Sequence, residues 1–156
     1  MNLAQLLWRS ASVHPGRPAV ARGTHELYDY RELARRAGSI ARWLHDAQGL
    51  EPGAHVALCM KNCPEYLEVL YGVWGAGLVA VPINAKLHPR EAAWIVGDSG
   101  ARVVFAGAEI AAELPDPGPE GARMVVIGSA RYADLLDGAA RPPIARGPDD
   151  LAWLFY

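Results

Sequence analysis

The chain has 156 residues, a net charge of −2, 51% hydrophobic residues and 21% charged residues, a balance typical of one globular domain or a large part of one. The near-neutral charge gives no electrostatic reason to expect a nucleic acid partner. No apolar run approaches the roughly 20 residues of a transmembrane helix, and the first residues lack the basic and apolar regions of a signal peptide, so we expect a cytoplasmic protein.

Helical and strand patterns alternate along the chain. Apolar residues at helical spacing predict helices at residues 3–13, 28–49, 64–75, 89–99, 109–114 and 132–136. Short apolar runs predict strands at residues 19–22, 55–60, 78–83, 102–106, 123–128 and 151–156. A turn is expected at 23–26, and Pro/Gly-rich loops at 115–121 and 137–150. The alternation predicts an α/β fold with a mostly parallel sheet and helices on both faces.

Helix ends carry recognisable cap residues. Asn2 can cap the first helix, and Asp29 and Glu32 stand at the spacing of a capping box. His88 and Glu91 flank Pro89, so they are interpreted as capping groups at a helix start rather than as a metal pair. The buried face of the helix at 64–75 is expected to consist of Leu67, Leu70, Tyr71 and Trp74.

Residues that could carry chemistry have simpler structural interpretations. Gly72, Gly75 and Gly77 end a helix instead of opening one after a strand, so they predict a helix C-cap and close helix–sheet packing rather than a nucleotide loop. Cys59 and Cys63 are too few for a disulfide framework or a four-ligand zinc site, and are expected to be buried or half-buried free thiols. The five tryptophans are expected mostly in the core.

No catalytic constellation is evident in the sequence. It contains neither a G-x-x-x-x-G-K-[ST] phosphate loop nor a G-x-S-x-G nucleophile elbow. We therefore predict no catalytic residue and no metal ligand within the chain. A parallel α/β domain normally binds ligands at the carboxyl ends of its strands.

The order of segments resembles the adenylate-forming (AMP-binding) enzymes, most closely the acyl-CoA synthetases and fatty-acid–CoA ligases. The stretch LYDYRELARRAGSIARWL is similar to the tyrosine-rich strand and helix near the start of that family, and VPINAKL is the most specific match. The similarity covers residues 4–105 and 149–156. The sequence departs from the family's Gly-Asp-Arg pattern at Gly53-Ala54-His55.

The resemblance implies that residues 1–156 are the N-terminal part of the large AMP-binding domain, with a variable segment at about 108–148. The ending LAWLFY matches the strand that leads into the family's ATP phosphate-binding loop, so the chain is expected to stop just before that loop. The parent enzyme would join a carboxylic acid to ATP and then to coenzyme A, with Mg²⁺ as cofactor. The chain alone is expected to bind ATP, Mg²⁺ and coenzyme A only weakly and to be inactive.

The resemblance also implies one binding residue. Lys86 occupies the basic position of a turn that approaches the CoA phosphates in some CoA ligases, and a solvated loop lysine is an equally simple interpretation. Two accounts of the whole chain stay open. It is either part of an acid–CoA ligase, which would expose apolar surface and self-associate, or a stand-alone α/β binding or assembly module without catalysis.

Overall fold

The computed structural model describes residues 1–115 and 121–156. Its helices are α1 Ala4–Val13, α2 Tyr30–Arg42, α3 Pro64–Gly75, α4 Pro89–Asp98, α5 Ala108–Glu113 and α6 Ala130–Leu136, and α2 continues into a π-helical turn, Trp43–Ala47. Its strands are β1 Pro18–Arg22, β2 His25–Asp29, β3 His55–Cys59, β4 Val79–Pro82, β5 Val103–Ala106 and β6 Arg123–Val126. The loop predicted at 115–121 lies largely outside the described residues. Among those residues, no helix is long and apolar enough to cross a membrane.

Four strands form a parallel sheet in the order β4-β3-β5-β6. Because side chains alternate between faces along a strand, the sheet contributes to two separate hydrophobic cores. Leu58 and Phe105 pack on one face with α2, α3 and α6, and Val81 and Val104 pack on the other with α4 and α5. The predicted α/β architecture, a mostly parallel sheet covered by helices on both faces, is confirmed.

An antiparallel hairpin of β1 and β2 precedes the sheet. Strand β1 confirms the strand predicted at 19–22, whereas the predicted extent of the turn and the predicted start of the helix were wrong. The predicted turn at 23–26 is shorter, because Gly23 at φ 61° allows a tight reversal. Strand β2 continues to Asp29, so α2 begins at Tyr30 instead of residue 28. The Asp29 side chain accepts a hydrogen bond from the Glu32 amide at 2.8 Å, and an N-cap residue needs this extended backbone.

Helix α3 packs against both the sheet and α2, so its buried face differs from the predicted one. Leu67 is exposed, while Val69 and Val73 are fully buried. A Cβ on Gly72 would lie 2.6 Å from the Ile40 side chain of α2, so this glycine permits close helix–helix packing rather than the predicted helix–sheet packing. The predicted C-cap is confirmed, because Gly77 has a φ of 73°.

The predicted last strand, residues 151–156, is reduced to a single parallel bridge between Ala80 and Trp153. The Ala80 amide donates to Ala152 O and the Leu154 amide donates to Ala80 O, at 3.0 and 2.9 Å. Pro82 is the next residue of β4 whose backbone faces the 151–156 segment, and a proline has no N–H with which to continue the hydrogen-bonded pairing. This apolar ending is therefore largely uncovered, with Leu151, Phe155 and Tyr156 exposed.

Candidate functional site

The carboxyl ends of β3, β4 and β5 meet at one edge of the sheet, where an open parallel sheet binds ligands. The turn at 82–89 follows β4 and carries Lys86. The Lys86 amide donates a 3.0 Å hydrogen bond to Asn84 Oδ1, which holds the turn in shape. The Lys86 side chain is exposed, and within 1–115 and 121–156 its ammonium has no ion-pair partner within 4.0 Å.

The turn leads into α4 through a complete capping box. His88 Nδ1 accepts from the Arg90 amide at 3.2 Å, and the His88 amide donates to Glu91 Oε2 at 3.1 Å. The predicted capping role of His88 and Glu91 is confirmed. The described part of the chain contains no group of three or more His, Cys, Asp or Glu side chains arranged to hold a metal.

A groove of about 640 Å³ lies beside this turn. Trp94 and Tyr156 line it, with their rings perpendicular and their centroids 6.0 Å apart. The Tyr156 hydroxyl donates to Asp98 Oδ2 at 2.8 Å, and this hydrogen bond raises the pKa of the phenol.

Trp94 is 61% exposed, so the expectation of a core position is wrong for this tryptophan. Trp94 lies two residues after Ala92, and residues two apart lie on opposite sides of a helix. This spacing in the sequence indicates that Trp94 faces away from the side of α4 that buries Ala92.

A second cavity opens at the same edge, between β3 and β5, and has a volume of about 290 Å³. Lys61 and Glu109 form an ion pair at its rim. Cys63 lines it and Cys59 lies buried in β3, and both are free thiols, as predicted. Burial raises the pKa of both thiols, so neither is an activated nucleophile.

A buried polar cluster joins four elements, and sequence reasoning missed it. Glu68 of α3 is fully buried and accepts hydrogen bonds from the hydroxyls of Tyr28 at 2.5 Å and Tyr132 at 2.7 Å. Arg36 Nε lies 2.8 Å from Glu68 Oε1, although its N–H is not aligned for a hydrogen bond, so this contact is an ion pair. Burial, together with the adjacent carboxylate, raises the pKa of both phenols. This cluster serves packing between elements.

These features define an α/β domain with two pockets at the carboxyl ends of its parallel strands, the edge at which open parallel sheets bind ligands. Residues 7–156 match the AMP-binding enzyme family, and the chain belongs to this family. The resemblance inferred from the sequence is therefore confirmed.

Known relatives agree with this assignment. The long-chain-fatty-acid–CoA ligase FadD13 of Mycobacterium tuberculosis is 33% identical over 162 aligned positions, which cover 99% of this chain and 32% of the ligase. The solved fatty acyl CoA synthetase of Mycobacterium tuberculosis superposes with a TM-score of 0.86 at 30% identity, over 99% of this chain and 32% of that one. A benzoate CoA ligase from Burkholderia xenovorans LB400 also gives 0.86, at 26% identity, over 98% and 32%. The chain thus spans about a third of the length of these proteins.

Proposed function

We propose that this chain is the N-terminal part of an ATP-dependent acid–CoA ligase. The whole enzyme would convert a carboxylic acid and ATP to an acyl-adenylate and pyrophosphate, and would then transfer the acyl group to coenzyme A. The observation that supports this most is the likeness of nearly the whole chain to acid–CoA ligases in both sequence and structure. In this proposal residues 1–156 belong to the large AMP-binding domain, with a variable segment at about 108–148, part of which lies outside the described residues.

The residues of this chain fit coenzyme A better than they fit ATP or Mg²⁺. Lys86 offers an exposed ammonium at the carboxyl edge of the sheet, and a lysine binds phosphate as a point charge. We therefore assign Lys86 a contact with the CoA phosphates. The described residues contain no group of three or more His, Cys, Asp or Glu side chains that could hold Mg²⁺, and the sequence has no G-x-x-x-x-G-K-[ST] loop for the ATP phosphates.

The chain by itself is expected to be inactive, since it would supply scaffold and a CoA contact but no phosphate loop. Exchange of labelled pyrophosphate into ATP, in the presence of a panel of carboxylic acids, tests this directly. We expect exchange at the level of the blank from a chain whose circular dichroism shows folded helix and strand. Exchange above the blank would refute the inference.

The alternative is a stand-alone binding or assembly module in the cytoplasm. The two proposals differ in the surface they require. Part of a ligase exposes apolar side chains that other residues of the enzyme cover, and the exposed Leu151, Phe155 and Trp94 favour this proposal. We expect concentration-dependent self-association by analytical ultracentrifugation, and a chain that stays monomeric at all concentrations would favour the stand-alone module.

A further inference from the structure

A strap, residues 137–150, carries the chain from α6 back to β4 without a helix or strand of its own. Part of the strap lies directly on α2. The Arg141 amide donates a 3.0 Å hydrogen bond to Gly38 O in that helix, and a Cβ on Gly38 would lie 2.8 Å from the Ala140 Cβ. Because glycine has no side chain, the strap can approach the helix backbone closely and is docked on it.

Ile144 fastens the middle of the strap to the C-terminal end of α3. Its amide donates to Gly75 O at 3.0 Å. Its side chain covers Gly77, where a Cβ would lie only 2.5 Å from Ile144 Cδ1. Its carbonyl accepts a 2.9 Å hydrogen bond from the side-chain amide of Asn2. The backbone and the side chain of Ile144 are thus held by three different residues.

Asn2, which holds the Ile144 carbonyl, is itself buried, with 2% of its surface exposed. The same side-chain amide donates to Trp74 O of α3 at 2.5 Å, and Asn2 Oδ1 accepts from the Ala4 amide of α1 at 2.8 Å. A buried carboxamide whose hydrogen bonds are made is costly to disturb, because a lost bond leaves a buried polar group unpaired. Asn2 therefore joins α1, α3 and the strap at one point.

The segment after the strap, residues 151–156, has a short backbone pairing. Among the described residues it pairs with β4 through the two hydrogen bonds of Ala80. So short a pairing specifies its register weakly, and a slip of one residue moves every side chain to the opposite face. The Gly147 amide donates to Asp150 Oδ2 at 2.7 Å, which closes the last turn of the strap. With Ile144 docked and this turn closed, the length of chain that can reach Ala80 is fixed.

We infer that Asn2 is a positioning residue, which sets the register of residues 151–156 on β4 by holding Ile144. The consequence for activity rests on the proposed function, because in that proposal the segment leads into the ATP phosphate-binding loop. A slipped register would displace the entry to that loop. The affinity for ATP, and not the affinity for CoA, therefore depends on Asn2.

Amide hydrogen exchange of the 156-residue chain, followed by ¹H–¹⁵N NMR, tests this inference directly. Asn2→Ser leaves a hydroxyl that can accept from the Ala4 amide, but its side chain is too short to donate to Ile144 O. We expect the amides of Ala80 and Leu154 to exchange about tenfold faster relative to those of β5, because the segment opens locally. Gln5→Ser removes an exposed carboxamide from α1 and is the matched control, with no expected change.

Ile144→Ala tests the same anchor from the side of the strap, by removing the side chain that covers Gly77. It should speed exchange at Ala80 and Leu154 in the same way, and it replaces Asn2→Ser if that variant does not fold. Equal acceleration at these two amides and throughout β5 would overturn the inference, since Asn2 would then only stabilise the fold as a whole. Unchanged exchange in both variants would overturn it as well.

In an acid–CoA ligase that contains this chain, Asn2→Ser should raise KM for ATP about two- to tenfold and leave KM for CoA unchanged. Parallel rises in both constants would contradict the positioning role. Local exchange at Ala80 and Leu154 reports on Asn2 without any ligase activity, so the inference and the proposed function fail separately.

Discussion

The Tyr132 hydroxyl donates a 2.7 Å hydrogen bond to Oε2 of Glu68, which joins α6 to α3 although the two residues are 64 positions apart. Tyr28 of the hairpin donates to the other carboxylate oxygen. A fully buried carboxylate is stable only when its oxygens are satisfied and its charge is balanced. The cluster around Glu68 therefore ties the hairpin, the helical layer and the segment after β6 into one unit.

Replacing the central carboxylate should destabilise the domain. Glu68→Gln keeps the shape but removes the buried counter-ion of Arg36, which keeps only the more distant Glu32 carboxylate at 3.7 Å. It also turns an amide donor toward one of the tyrosine hydroxyls. We expect the free energy of unfolding in urea to fall by about 2–4 kcal/mol. Glu26→Gln makes the same chemical change at an exposed position and should stay within about 0.5 kcal/mol of the unmodified chain. An equally small effect of Glu68→Gln would contradict the role given to the cluster.

The raised pKa of Tyr132 predicts loss of stability in alkali. The unfolded phenol titrates near pH 10, and the folded phenol titrates at higher pH, so the folded state holds its proton more tightly. Stability linked to this group is thus complete below about pH 10 and declines as the pH rises above it, by at most about 1.4 kcal/mol per pH unit. Urea unfolding of Tyr132→Phe between pH 8 and 11 should show a shallower decline than the unmodified chain. Parallel curves would argue against this linkage.

Two glycines offer a matched test of the packing between α2 and α3. A Cβ at Gly72 would lie 2.6 Å from Ile40, whereas a Cβ at Gly97 of α4 would meet nothing within 4 Å. Gly72→Ala should therefore cost about 1–3 kcal/mol of unfolding free energy through overpacking. Gly97→Ala should stabilise the domain by about 0.5–1 kcal/mol, because alanine loses less backbone entropy in a helix. Equal effects of the two substitutions would show that the helices can separate at little cost.

Lys86→Ala tests the proposed CoA contact in an acid–CoA ligase that contains this chain. Loss of one lysine–phosphate contact should raise KM for CoA by up to about tenfold and leave the adenylation half-reaction unchanged. Arg9→Ala removes an exposed cation from α1 and serves as the control. An unchanged KM for CoA in Lys86→Ala would assign this residue to the solvated surface.

Features that depend on local sequence were predicted well. Hydrophobic periodicity gave the alternation of strands and helices, and the spacing of His88 and Glu91 around Pro89 gave the capping box of α4. Asp29 caps α2 as expected, but Glu32 pairs with Arg35 at 2.8 Å instead of completing the capping box. Glu32 can reach either the Asp29 amide or the Arg35 guanidinium, and side-chain geometry decides between them. The spacing of residues in the sequence does not show which partner is chosen.

Features that depend on distant contacts were not predictable. Glu68 stands in a helix where a polar residue normally faces solvent, and its partners Tyr28 and Tyr132 are far away in the sequence. The uncovered ending at 151–156 was missed for a related reason, since its pairing depends on which N–H groups β4 offers. Trp94 points outward because only one stripe of α4 contacts the sheet, and that stripe contains Ala92 and Ile95.

The most direct test of the central claim, that these residues are part of an acid–CoA ligase, is to sequence the source transcript beyond the codon for Tyr156. The account predicts that the reading frame continues into a Thr/Ser/Gly-rich stretch that contains a lysine, followed by several hundred further residues. A stop codon directly after Tyr156 would contradict it and would leave the stand-alone binding module as the explanation of this chain.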